Sequence, residues 1–174
     1  AVGPLIDALD DEKTRVRWEA ATALGHVGPA GTDEEVIEAI DRLCNLLSSN
    51  FGTVRRNATV ALGRLHAYDR SYSDAVEKAL EDRFDGRKTP GEWLSERLND
   101  ERIDVAVGAA FALFRAGVTD HDLRMSARSR LREGLDIADH RQFTIQLIVE
   151  LSMTGPAIHP MMREVFAPDD ANED

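Results

Sequence analysis

A ten-residue pattern recurs along this chain and constrains its fold more than any other feature of the sequence. Val16-Arg17-Trp18-Glu19-Ala20-Ala21-Thr22-Ala23-Leu24-Gly25 returns as Val54-Arg55-Arg56-Asn57-Ala58-Thr59-Val60-Ala61-Leu62-Gly63. A looser copy runs from Val105 to Phe114, and a degenerate one from Phe143 to Ser152. The anchoring leucines Leu24, Leu62, Leu113 and Leu151 are 38, 51 and 38 residues apart. Repetition at such a period marks arrays in which each unit buries its apolar face only against the next.

Each copy has helical spacing. Val16, Ala20, Leu24 and Val27 fall on one stripe of a 3.6-residue period, as do Val54, Ala58, Leu62 and Leu65, and then Val105, Ala109, Leu113 and Ala116. A small alanine in mid-stripe lets a neighbouring helix approach. A second apolar segment precedes each of the first three copies, carried by Leu5 and Leu9, Leu43 and Leu47, and Leu94 and Leu98. Between the two segments lie Asp10-Asp11, Ser48-Ser49-Asn50 and Asn99-Asp100, residue types suited to helix N-caps. Gly28-Pro29 and Gly155-Pro156 supply stops. The expected unit is helix, turn, helix.

Segment 2–29, with Pro4-Leu5, Leu9, Asp10-Asp11, Val16-Arg17, Ala20-Ala21, Leu24-Gly25 and Gly28, resembles a HEAT repeat. Its subtype is similar to the short HEAT-like repeats of phycobilisome lyase subunits. Segment 33–66 fits well, 91–117 moderately, and 121–155 by helix period and spacing alone. The resemblance implies an all-α protein, an α-solenoid of about four stacked antiparallel helix pairs whose second helices line a concave face. A single domain over 1–166 is expected, with repeats at 2–29, 33–66, 72–117 and 121–155. A capping helix at 157–166 and an acidic tail at 167–174 complete it. The 51-residue spacing is accounted for by an extra amphipathic helix, or a lengthened first helix, over 72–85 (Val76, Ala79, Leu80, Phe84) and a loop from Gly86 to Gly91. The chain opens inside a first helix with no capping repeat ahead of Ala1, as expected of a piece of a longer array.

Charge limits the partners. The net charge is −11 over 174 residues, and eighteen of the 21 cationic residues are arginine. A field of that sign repels phosphate backbones and anionic lipid, so nucleic acid and membrane surfaces are poor partners. Acid-rich, lysine-poor composition also resembles that of proteins from salt-loving archaea. No run of about 18 apolar residues could span a membrane. One cysteine, Cys44, excludes an internal disulfide and zinc sites built on cysteine pairs, which points to a reducing, cytoplasmic setting.

No phosphate loop, His-Glu-x-x-His pair or nucleophile elbow is present, so neither a cofactor nor a catalytic centre is expected. His121-Asp122 and Asp139-His140 have irregular spacing for a metal site and fit surface positions at helix starts. Cys44, among Leu43, Leu46 and Leu47, fits the core.

The strongest candidate surface is a set of columns across the second helices. Trp18, Arg56, Val107 and Ile145 share one position, Thr22, Val60, Phe111 and Val149 another, and His26, Arg64, Arg115 and Met153 a third. With Arg15, Arg17, Arg55 and Arg64 beside them, these make a basic ridge on an acidic molecule. Partner contacts are expected at Arg17, Trp18, Thr22, Arg55, Arg56, Val60, Arg64, Val107 and Phe111, because tryptophan and arginine dominate interface energetics. The competing reading is a structural ladder, with arginines paired to carboxylates such as Asp10, Asp11 and Glu19.

The expected function is a non-catalytic scaffold that binds an unknown protein or peptide on its concave face. The lyase resemblance implies an alternative, a subunit that helps attach a chromophore to a carrier protein. The Trp and Arg column also resembles the cleft of HEAT-like DNA-repair glycosylases, against the sign of the net charge.

Overall fold

A computed structural model describes residues 2–83 and 90–153. Among them the regular structure is entirely helical: α1 (Gly3–Asp7), α2 (Thr14–Val27), α3 (Asp33–Leu46), α4 (Gly52–His66), α5 (Arg70–Arg83), α6 (Pro90–Arg97), α7 (Ile103–Arg115), α8 (His121–Asp136) and α9 (Ala138–Met153). The expected capping helix, the acidic tail, Gly155-Pro156, Phe84 and most of the 86–91 loop lie outside the described residues. Pro90 and Gly91 open α6.

The helices pile in two layers. The second helices α2, α4 and α7 stack in sequence, and α1, α3 and α5 stack outside them. The seam between the layers holds Leu9, Leu24, Ile40, Leu43, Leu65 and Leu98, all fully buried. The segment over 72–85 is a separate helix, α5, which packs on α3 and α4 through Tyr72, Val76 and Leu80. The short α6 then pairs with α7, so the long third unit contains two outer helices.

Local chemistry sets the helix ends. Thr32 and Glu35 form a capping box at α3, and Asp120 accepts from the Leu123 amide at 2.8 Å to cap α8. The turns between paired helices work differently from the N-caps expected there. Asp11, Ser49 and Asp100 accept from the amides of Lys13, Phe51 and Arg102, two residues on, at 2.7, 3.2 and 3.0 Å. These are side-chain turns one step ahead of each helix.

Two glycines bring the inner helices together. A Cβ on Gly25 would lie 2.8 Å from the Ala61 Cα, and one on Gly63 would lie 2.7 Å from the Ala112 Cβ. The third copy has Phe114 at that position, buried, and α7 packs more extensively on α8 than on α9. The fourth copy also shifts register. Arg141 donates to the main-chain oxygens of Leu135 and Asp136, six and five residues back. Arg17 does the same to Asp11 and Glu12, and Arg55 to Ser49. Arg141 thus matches Arg17 and Arg55, which puts buried Thr144 in the place of Ala20 and Ala58. The periodicity allowed either register, because a shift of three residues keeps the helix face.

Adding a methyl group at Gly63 must push the backbone of α7 away. Gly63→Ala is therefore expected to destabilise the protein by about 1–3 kcal/mol. Gly91→Ala, with nothing within 4 Å of its Cβ, should be neutral or slightly stabilising. Thermal denaturation of both variants checks this, and equal melting temperatures would refute the close-approach account.

Candidate functional site: a cleft on the inner helices

The expected ridge divides into three fates. Val60, Val107 and Phe111 are buried and offer nothing to a partner on an open face. Val60 packs against Gly108, and Val107 packs against Gly134. The reason is that α7 is enclosed by α4, α6, α8 and α9, with every residue from Asp104 to Phe114 buried. A signal for this was present: the stretch Ile103–Phe114 has no polar face, and a helix apolar all round is a buried one.

The ridge arginines bind the protein itself. Arg17 lies over the Phe51 ring at 5.7 Å in addition to its main-chain bonds. Arg55 pairs with Asp100 at 3.2 Å, and Arg56 pairs with Asp104 at 3.3 Å. Asp104 also takes both Nε and Nη2 of Arg102, at 3.0 and 2.9 Å. Burial alone would raise the Asp104 pKa, but hydrogen bonds from Arg102 and the charges of Arg102 and Arg56 outweigh it and hold it below the carboxylate range. The ladder therefore exists, though not on the expected carboxylates. Asp10 pairs with Arg42 and Glu19 with Arg15, while Asp11 offers Arg17 only its main-chain oxygen. Trp18 and Thr22 remain half-buried on α2. The Trp18 carbonyl accepts from the Thr22 hydroxyl at 2.9 Å and from the Asn57 amide at 3.5 Å.

Curvature brings α9 within side-chain reach of α4, two units away. The Arg56 guanidinium lies 4.4 Å from the Phe143 ring centroid. Arg64, 8% exposed, grips Glu150 in bidentate fashion, with Nε at 2.9 Å and Nη2 at 2.7 Å. Beside this pair opens a cleft of about 800 Å³. Gly25, His26, Pro29 and Ala30 form one wall, Tyr68, Arg64 and Arg115 the base, and Gln146, Val149, Glu150 and Met153 the other wall. His26, Arg64, Arg115 and Met153, the expected third column, all line this cleft, although the register set by Arg141 makes Glu150 rather than Met153 the fourth equivalent. Val149, Met153 and Tyr68 are 50%, 79% and 59% exposed.

The electrostatics of the cleft are uneven. Partial burial and the charge of Arg64 lower the His26 pKa, with Glu150 opposing. Burial also lowers the Arg115 pKa, with Glu150 raising it and Arg64 lowering it, but a guanidinium stays charged. Arg64 and Arg115 flank the same Phe111 ring at 5.7 and 6.0 Å. No group of three metal-ligating side chains occurs among the described residues. Cys44 is buried, and that burial, reinforced by the charge of Asp41 and countered by Arg83, pushes its thiol up to about 12.

Residues 2–89 match the protein family described as HEAT repeats. No curated protein matches the chain in sequence. Among solved structures, it is similar to an engineered protein at 19% identity and a TM-score of 0.56, covering 94% of this chain and 76% of that one. A designed armadillo repeat protein in complex with the peptide (KR)4 is 18% identical with a TM-score of 0.55, covering 96% and 64%. A computationally designed armadillo repeat protein for modular peptide recognition is 22% identical with a TM-score of 0.51, covering 95% and 70%.

The depressed Asp104 pKa fixes a sign. Its contribution is complete above the unfolded carboxylate value near ~4 and is lost as pH falls through the lower folded value. Asp104→Ala should cost about 3 kcal/mol at neutral pH, since it strands a half-buried Arg56, and should flatten the acid limb of the stability profile. Urea titrations between pH 3 and 7 measure both effects. Cys44 should react with a thiol reagent only on unfolding, and prompt labelling of the native protein would contradict its burial.

Proposed function

The chain belongs to the HEAT-repeat family, and on that premise we propose that it is a scaffold that binds an extended segment of a partner protein along its inner helices. One observation carries the reading: all four units contribute side chains to a single open cleft in which exposed apolar groups and a cation lie together. Exposed apolar surface rimmed by polar groups marks interaction sites. Ile145, Val149 and Met153 lie at successive turns along α9 and are all exposed. Thr22 and Trp18 lie one and two turns before His26 on the same face of α2, and extend the surface towards the start of the stack. Two of the structural neighbours are a designed repeat protein in complex with the peptide (KR)4 and one designed for modular peptide recognition, which supports this use of such a shape. The contact set narrows from the ridge to the cleft, with Arg64 common to both. The chromophore-attachment alternative rests on the repeat resemblance alone, and the glycosylase alternative on the Trp18 and Arg56 column, whose Arg56 is paired with Asp104. No helix among the described residues is long and apolar enough to cross a membrane.

The test places a photocrosslinking phenylalanine derivative at Val149 in the cleft, and separately at Ile37 on the exposed face of α3. In extract from the source cell, adducts to a discrete partner are expected from position 149 alone. Identical adducts from both positions, or none from 149, would remove the cleft from consideration.

A further inference from the structure

Arg115 stands apart from the other arginines of the inner helices. Its Nε is sealed from solvent without a hydrogen-bond partner, and the guanidinium makes no ion pair among the described residues. Scarcity of acids does not explain this, since Asp and Glu number 32 against 21 Lys and Arg. The carboxylate in the same cleft, Glu150, has both oxygens engaged by Arg64. One guanidinium, held against the Phe111 ring, is therefore left without an ion-pair partner among the described residues. Around it lie Pro29, Ala30, Tyr68, Val149 and Met153. The opening is at the upper end of the roughly 300–1,000 Å³ that hold a drug-sized ligand, and it is open along its length.

We infer that the cleft takes an acidic, partly apolar segment of a partner protein, one side-chain carboxylate docking on the Arg115 fork and the adjoining apolar side chains lying on Val149, Met153 and Tyr68. This rests on the proposed scaffold role and adds the chemistry of the partner. A guanidinium fork matches a carboxylate in bidentate geometry, here through its two terminal nitrogens, since Nε is sealed. A basic segment would meet an uncompensated like charge. A nucleic acid would find an apolar wall and a surrounding field of net charge −11.

The probe is a capped octapeptide alternating glutamate with leucine, compared with versions carrying glutamine or lysine in place of glutamate. Binding to the whole chain is read from the side-chain Nε–H resonance of Arg115 in nitrogen-15 NMR titrations. The glutamate peptide should shift that signal, and Arg115→Gln, whose binding is followed by titration calorimetry because the variant lacks that resonance, should weaken binding about tenfold or more. The glutamine and lysine peptides should leave the signal in place. Val149→Glu, a change at a half-exposed position, should abolish binding without altering helicity, which guards against a misfolded Arg115 variant. Tighter binding of the lysine peptide, binding of a single-stranded oligonucleotide at the same resonance, or a self-associated dimer that Val149→Glu dissolves would each overturn the inference. Failure of the glutamate peptide, with crosslinking from position 149 intact, sinks the acidic assignment and leaves the scaffold role standing. Loss of crosslinking sinks the scaffold role.

Discussion

The distance between consecutive inner helices governs the rest of this molecule. At Gly25 against Ala61 and at Gly63 against Ala112 there is no room for one more methyl group. Backbones that meet this closely leave no gap for water, so the positions flanking each contact become interior. That is why Val60 sits on Gly108 and why α7 is sheathed on every side. Where the glycine position becomes Phe114, the spacing changes and α8 takes over much of the packing against α7. The array then bends enough for α9 to reach α4 through side chains.

Arginine is used here chiefly as a tie. Arg17, Arg55 and Arg141 each reach back five or six residues to main-chain oxygens. For Arg141 those oxygens belong to the last turn of α8, and for Arg17 and Arg55 to the turn between the paired helices, where they would otherwise need water. The fork geometry suits the task, since one guanidinium can hold two acceptors at once. Arg56 and Arg64 make longer ties, to Asp104 and Phe143 and to Glu150. A basic ridge in the sequence has largely become internal wiring in three dimensions.

What remains for a partner follows from that accounting. Most cations of the described inner helices are satisfied within the fold, so the proposed partner would meet apolar side chains of α9 and the Arg115 guanidinium. Net negative charge elsewhere keeps the molecule soluble and discourages nonspecific polyanion binding. Specificity then depends on a few groups at the centre of the concavity, as interface energetics generally do.

The amino-acid order alone determined the helix period, the paired units, the turn positions and the core leucines, because burial on one face imposes a 3.6-residue spacing that survives in any context. It also placed His26, Arg64 and Arg115 in one column, and those three line the cleft; the fourth member by structure is Glu150, three residues before the Met153 that the repeat pattern suggested. It did not separate Val107 and Phe111 from exposed neighbours, although the absence of polar residues around α7 was there to be read. Nor could it place Glu150 on Arg64, 86 residues away, or leave Arg115 alone. Those outcomes depend on the curvature of the stack, which sums small contact angles over several units. Only the assembled tertiary structure decides which charges meet, because a repeat pattern specifies the faces of a helix and not the distance between helices far apart in the chain.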